Sequence, residues 1–233
     1  MNGAIVSAGG IGTRLGSDIP KQYIRVCGHM IITRSLATLC RHPQIDAIQI
    51  VASDVWQDEI ISDLNDMIGF HRSVRIGFSH PGETRQLSIY NGLIDLKGVL
   101  ENDSLVLVQD AVRPLTTDQI ISDCLAACAD YDGAMPVLPM KDTVYLSDGG
   151  QRVSGLLDRG RIFAGQAPEA FKFGKYLRAN QSLIPDRIRD ICGSTEPAVV
   201  AGMDIAMIPG DENNFKITTT GDLDRYKDII EGR

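Results

Sequence analysis

The chain has 233 residues, 43% hydrophobic and 23% charged, with a formal net charge of −7. This is the composition of an ordinary globular protein with enough chain for a sizeable core, and the acidic balance argues against a nucleic-acid binder or a membrane-surface binder. No apolar run approaches the roughly 20 residues of a membrane span, no basic leader precedes the first apolar stretch, and five cysteines without a CxxC pattern suit a reducing compartment, so a cytoplasmic protein is expected.

The first predicted element is a strand over Gly3–Ser7, followed at once by the glycine-rich stretch SAGGIGTRLGSDIPKQY, residues 7–23. Ile32, Leu36 and Leu39 then keep a helical spacing, and Ala47–Ala52 reads as a second strand. A second helical pattern runs through Val55, Glu59, Ile60, Leu64 and Ile68. A strand over Val74–Phe78 and a helix through Leu87, Tyr90, Asn91 and Ile94 come next. Leu105–Gln109 and Ala134–Leu138 are further strands, separated by the stripe Ile120, Ile121, Cys124, Leu125, Cys128. The two cysteines on that stripe share a helix face as a metal pair would, but their apolar company reads as core. Strands alternating with helices predict βαβ units: a Rossmann-like α/β fold, mainly parallel, with helices on both faces.

The alternation breaks after residue 138. Val144–Leu146 and Val153–Leu157 flank an SDGG turn and read as a hairpin, a β-arm over approximately 139–168. The excursion is too short for a core of its own, which leaves the chain as one domain. Such an arm either packs on a second subunit or folds back over its own site. Helices are expected to resume near Phe171, and Thr219 or Thr220 to cap a last helix with Asp222 and Asp224 in its first turn.

Three phosphate-binding loops compete for residues 8–16. A P-loop requires Lys where Ser17 follows Gly16, and a dinucleotide fingerprint requires glycine where Leu15 stands. The third pattern, A-x-G-x-G-[TS]-R followed by P-K, is met by Ala8-Gly9-Gly10-Ile11-Gly12-Thr13-Arg14 and Pro20-Lys21. Consecutive glycines let backbone N–H groups converge on an anion, and Arg14 and Lys21 add charge over the same phosphates. The plain alternative is a solvated turn with two surface cations.

On these residues, and on four further blocks, the chain resembles the cytidylyltransferases that couple CTP to a sugar-alcohol phosphate, over residues 3 to about 231. The blocks are PGETRQLSIYNGL (81–93), VQDAVRP (108–114), residues 140–171 ending in GQAPEAF, and PGDENNFKITTTGDL (209–223). The resemblance implies a nucleotidyltransferase, GT-A-like fold and a magnesium-dependent homodimer joined through the arm. It implies that Ala8, Gly9, Gly10, Gly12 and Thr13 bind the triphosphate, with Gly82, Glu83, Arg85 and Ser88 at the nucleotide. Arg14, Lys21 and Lys216 would be the catalytic cations. Asp110, Arg113, Thr143, Arg159 and Thr195 would bind the acceptor, Asp110 also standing near the ribose or Mg²⁺. GQAPEAF and KITT-x-DL lean toward the ribitol 5-phosphate branch, with 2-C-methyl-D-erythritol 4-phosphate as the alternative acceptor. A non-catalytic nucleotide-binding module and a sugar-1-phosphate nucleotidyltransferase are the rivals. Three departures stand out: Gln109 replaces a histidine, Ala167 a threonine, and DICGSTEPAVVAG (190–202) has no secure counterpart.

Overall fold

The computed structural model describes residues 1–10, 19–69 and 74–232. Its centre is a strand with no polar side chain until its last residue: β1 (Gly3–Ser7) pairs in parallel with β4 (Ala47–Val51) and with β6 (Leu105–Asp110). Every residue of β4 is buried, which is why this strand is apolar at every position but Gln49, whose amide donates to Ser79 Oγ at 2.9 Å. β5 (Arg75–Ser79) extends the sheet beyond β4, again in parallel. On the other side β6 meets β11 (Glu169–Lys172) antiparallel, then comes β7 (Gly133–Pro139), to which β10 (Phe163–Gly165) pairs antiparallel and β12 (Ile205–Pro209) in parallel. The result is an eight-stranded, mainly parallel sheet.

Alternate residues of the central strands feed two cores. Ala4, Val6, Ile48, Ile50 and Leu107 pack with α1 (Ile31–Arg41), α2 (Gln57–Ile68) and α4 (Asp118–Ala127) on one face. Ile5, Ala47, Val51, Val106 and Val108 pack with α3 (Arg85–Leu96), α5 (Phe173–Gln181) and α6 (Glu196–Val200) on the other. The expected helices on both faces follow from this period of two. Cys124 and Cys128 are buried in the first core, their thiols donating to the carbonyls of Pro168 and Cys124. Among the described residues no three His, Cys, Asp or Glu side chains gather as metal ligands, and no helix is long and apolar enough to cross a membrane.

Helix starts are marked in the sequence. Thr84, Thr117 and Thr219 accept from Leu87, Ile120 and Asp222 N–H groups at the N-caps of α3, α4 and α7 (Thr220–Glu231). At Thr219 the return bond from the backbone to Asp222 completes a capping box. Burial pushes the Asp222 carboxyl up, but hydrogen bonds from Thr218 and Thr219 outweigh it and hold it at about 2.

A small hairpin of β2 (Arg25–Val26) and β3 (His29–Met30) turns at Cys27 and Gly28, both with positive φ. Buried Asp63 of α2 fastens it, accepting from Met30 N (2.9 Å), Thr33 Oγ1 (2.5 Å) and Arg25 Nη1 (2.6 Å). The single turn Lys21–Tyr23 lies just before this hairpin, with Tyr23 stacked on Trp56 at 4.2 Å.

The expected arm is present as β8 (Tyr145–Leu146) and β9 (Gly155–Leu156), an antiparallel hairpin with Tyr145, Leu146, Val153 and Leu156 all exposed. The return to helix expected near Phe171 is met by α5, which begins at Phe173. Phe171 belongs to β11, paired with Val106, and its ring stacks on Tyr176 at 4.0 Å; helix begins two residues later. An aromatic side chain between two sheet neighbours buries better in the sheet than on a first helical turn.

Candidate active site

Parallel pairing puts the carboxyl ends of β1, β4, β5 and β6 together: Ser7 is level with Asp110 on one side and Val51 on the other, and Val51 with Ser79. Open α/β sheets bind their ligands at this end. A cleft of about 520 Å³ lies there. Gly9 and Gly10 enter its wall from β1, Lys21 and Gln22 from the turn before the hairpin, and Lys216 from the segment before α7. Gly82, Glu83, Thr84, Arg85 and Ser88 line it from the start of α3, and Asp110 from the end of β6.

The expected Gly12, Thr13 and Arg14 lie outside the described residues. Ala8 sits behind the cleft, its carbonyl accepting from Gln22 Nε2 (2.6 Å) and Tyr23 Oη (3.1 Å). Gln22 Nε2 also donates to Gly10 O at 2.6 Å, so one buried amide spans the start of the glycine loop. Lys21 Nζ donates to Ile217 O at 2.8 Å, which brings the two expected lysine segments, 196 positions apart, to one wall.

At the α3 start Gly82 N donates to Ser88 Oγ at 3.0 Å. A Cβ on Gly82 would stand 2.5 Å from Leu87 Cβ and 2.9 Å from Ser88 N, so only glycine lets this turn fold onto the helix. Glu83 pairs with Arg189 at 3.0 Å on the rim.

Asp110 is the electrostatic centre. Its Oδ1 takes Arg85 Nη2 at 3.0 Å; its Oδ2 takes Arg113 Nε and Lys216 Nζ, each at 3.2 Å. Burial alone would raise this carboxyl, but Arg85, Lys216 and Arg113 together hold it far below the usual carboxylate range. Arg113 is fixed further by Asn214 O at 2.6 Å. Three cations on one carboxylate leave a surplus of positive charge facing the cleft, which suits phosphate groups.

A magnesium ligand role for Asp110 does not fit this arrangement. Both carboxylate oxygens are engaged by cations, and among the described residues no group of three His, Cys, Asp or Glu side chains gathers as a ligand set. Thr143 and Arg159 are exposed on the arm side and do not line this cleft; Arg159 Nη1 donates to Lys141 O at 3.0 Å. Thr195 is buried and donates to Glu169 Oε1 at 3.1 Å.

A family model for 2-C-methyl-D-erythritol 4-phosphate cytidylyltransferase matches residues 3–231. The chain belongs to that family. It is 32% identical over 98% of its length to the bifunctional enzyme IspD/IspF of Paramagnetospirillum magneticum, of which it spans 56%. It is 30% identical to the ribitol-5-phosphate cytidylyltransferase of Lacticaseibacillus paracasei, over 96% of this chain and 95% of that one. The crystal structure of Francisella tularensis 2-C-methyl-D-erythritol 4-phosphate cytidylyltransferase is similar with a TM-score of 0.80 at 25% identity, covering 97% of this chain and 98% of that one. The α/β fold of this cytidylyltransferase family is therefore the fold of this chain.

Several residues of the family cleft were not singled out from sequence. Gln22 follows Lys21 and carries no motif signal, although a glutamine beside a glycine loop has the donors to brace it. Gln109, noted only as a replacement, is buried and donates to Asp110 O, Arg113 O and Thr116 Oγ1, tying down the loop that carries Arg113. Asn214 is fully buried and joins Thr116, Ala167 and Arg113. Glu169 had no signal beyond its charge.

Proposed function

We propose that the protein is a CTP-dependent cytidylyltransferase that transfers CMP to a sugar-alcohol phosphate and releases pyrophosphate, with ribitol 5-phosphate the favoured acceptor. The observation that carries this reading is the convergence of Lys21, Lys216, Arg85 and Arg113 around buried Asp110, beside the glycine turn that ends β1. A pocket for a neutral ligand has no use for four cations gathered at one cleft.

The chemistry needs little covalent help. An oxygen of the acceptor phosphate, already ionised, attacks the α-phosphorus of CTP; the new P–O bond forms as the bond to the β-phosphate oxygen breaks, and pyrophosphate leaves with the electron pair. Catalysis is alignment and charge neutralisation. Lys21 and Lys216 stand on one wall to meet the α-phosphate as negative charge accumulates there. The Gly9–Gly10 backbone holds the outgoing phosphates, joined by Arg14 of the same loop. Gly82, Glu83 and Ser88 flank the base, and Arg113 the acceptor phosphate. A divalent ion bound to the triphosphate oxygens would supply further charge neutralisation there. Thr143 and Arg159, away from this cleft, act on a second subunit's acceptor site if the exposed apolar arm is a dimer contact.

The name of the family model favours methylerythritol phosphate as the second acceptor reading; the near full-length likeness to a ribitol-5-phosphate enzyme favours the first. Pyrophosphate release from CTP and Mg²⁺ with ribitol, methylerythritol, glycerol, arabinitol and mannitol phosphates tests both. Turnover is expected with ribitol 5-phosphate, and Lys21→Ala or Lys216→Ala lowers it by roughly 10²–10³. No turnover with any acceptor refutes the reading.

A further inference from the structure

Lys216 reaches the cleft from a segment with neither helix nor strand, between the end of β12 at Pro209 and the start of α7 at Thr220. Such backbone has no ladder of its own to hold a side chain in place. The position of Lys216 Nζ, 3.2 Å from Asp110 Oδ2, is therefore set by what grips the segment on either side. Asn214 and Ile217, both fully buried, bracket it. Ile217 is held by packing: it shares a small core with Val26, Ile31, Val112 and Tyr226, and its N–H donates to Val112 O at 2.9 Å.

Asn214 is held by polar contacts alone. Its Oδ1 accepts from Thr116 Oγ1 at 3.0 Å and its Nδ2 donates to Ala167 O at 2.8 Å. Its backbone carbonyl accepts from Arg113 Nη1 at 2.6 Å and from Gln166 Nε2 at 3.3 Å. Gln166, 5% exposed, also clamps Asp211 from both sides, Oε1 accepting from Asp211 N at 3.1 Å and Nε2 donating to Asp211 O at 2.8 Å. A Cβ on Gly210 would stand 2.5 Å from Gln166 Oε1, so the segment comes this close only with glycine there. Two buried amides thus tie the Lys216 segment to the loop after β6 and to the stretch between β10 and β11. The contacts also close a ring. Arg113, bound to Asn214 O, places Nε 3.2 Å from Asp110 Oδ2, the oxygen that takes Lys216 Nζ. From Lys216 the ring returns to Asn214 along two residues of chain.

We propose that Asn214, backed by Gln166, is a positioning residue that acts through Lys216, and this role rests on the cytidylyl transfer proposed above. Truncating the Asn214 amide leaves Thr116 Oγ1 and Ala167 O short of a partner in the interior, and the segment shifts to satisfy them. A cation displaced by about 1 Å from where charge develops loses much of its effect on the barrier. Ground-state binding of CTP, supplied by the rest of the cleft, changes little.

Asn214→Ala and Gln166→Ala are made alone and in combination with Lys216→Ala. Each is assayed for pyrophosphate release with CTP and the polyol phosphate that the wild type turns over, thermal unfolding showing which variants fold. Asn214→Ala is expected to lower kcat about 10–100-fold with KM for CTP within about threefold. In the Lys216→Ala background the same substitution costs less than about threefold, because the cation it acts through is gone. Gln166→Ala frees Asp211 while keeping the Asn214 side chain; it gives the same pattern at smaller amplitude and carries the test should Asn214→Ala fail to fold. Losses that multiply in the double variants overturn the role, since they mark a general structural defect. An unchanged kcat in the folded single variants also overturns it and leaves the transferase reading intact. A wild type inactive with every polyol phosphate overturns the reading and this role together.

Discussion

Asp110→Asn is the substitution that tests the electrostatic centre most directly. In the wild type one carboxylate, 8% exposed on its side chain, neutralises part of three cations at 3.0–3.2 Å. An amide fills the same volume but returns no charge, and its NH₂ group points a donor at cations that are themselves donors. Removing one partner from a buried ion pair costs about 3–5 kcal/mol. Arg113, with a side chain 10% exposed, carries most of that loss. Lys216 is 37% exposed on its side chain and contributes less, because solvent screens it. At roughly 2–4 °C per kcal/mol for a chain of this size, the melting temperature falls by about 6–20 °C. The assay is thermal unfolding across pH, with and without pyrophosphate. Asp110 is depressed in the folded state, so its contribution is complete above the ordinary carboxylate pKa and fades as pH falls below it. The gap between wild type and variant is therefore full at neutral pH and narrows below roughly pH 4. Pyrophosphate, which supplies the missing negative charge, stabilises the variant more than the wild type. A neutral-pH gap of less than about 2 °C, or a gap that widens in acid, refutes the reasoning.

Other predictions follow from single contacts. Gln22→Glu places a carboxylate against the carbonyls of Ala8 and Gly10 that now accept from an amide, so CTP affinity falls further than in Gln22→Ala; calorimetry on both variants checks the order. Gly82→Ala forces a Cβ into the Leu87–Ser88 backbone, costs about 1–3 kcal/mol in thermal unfolding, and weakens CTP binding more than Gly9→Ala, whose clash is with the Pro81 ring. Thr219→Ala removes the N-cap of α7, lowering the melting temperature by the roughly 1 kcal/mol of an N-cap, read by thermal unfolding. Because the partner carboxyl Asp222 is held at about 2, that deficit persists at pH 5 and shrinks only in stronger acid.

The parts of the fold legible in the sequence are those whose residues obey one dominant force. β1, β4 and β6 are buried on both faces, so each is mostly apolar, with Gln49 the polar exception inside β4, and the glycines after β1 and Asp110 and Arg113 at and beyond the end of β6 stand out. β10 and β11 carry no such mark: Phe-Ala-Gly and Glu-Ala-Phe-Lys are too short to show a period, and their extended form is imposed by pairing with β7 and β6. Lys21 and Lys216 were legible as charges within motifs. That Lys216 and Arg85 meet on Asp110, and that Thr195 is taken up by Glu169, were not, since both depend on strand register between segments far apart in sequence.

The hydrogen bond from Lys21 to the carbonyl of Ile217 has a bearing on how the protein is made. The two lysines of the cleft are separated by most of the chain, and 196 positions must be added after Lys21 before its partner exists. At ribosomal rates of about 5–20 residues per second, that is roughly 10–40 s during which the glycine loop has emerged without its opposite number. A nascent chain that ends before residue 217 lacks the carbonyl that takes the Lys21 ammonium, so this wall of the cleft closes only late in synthesis.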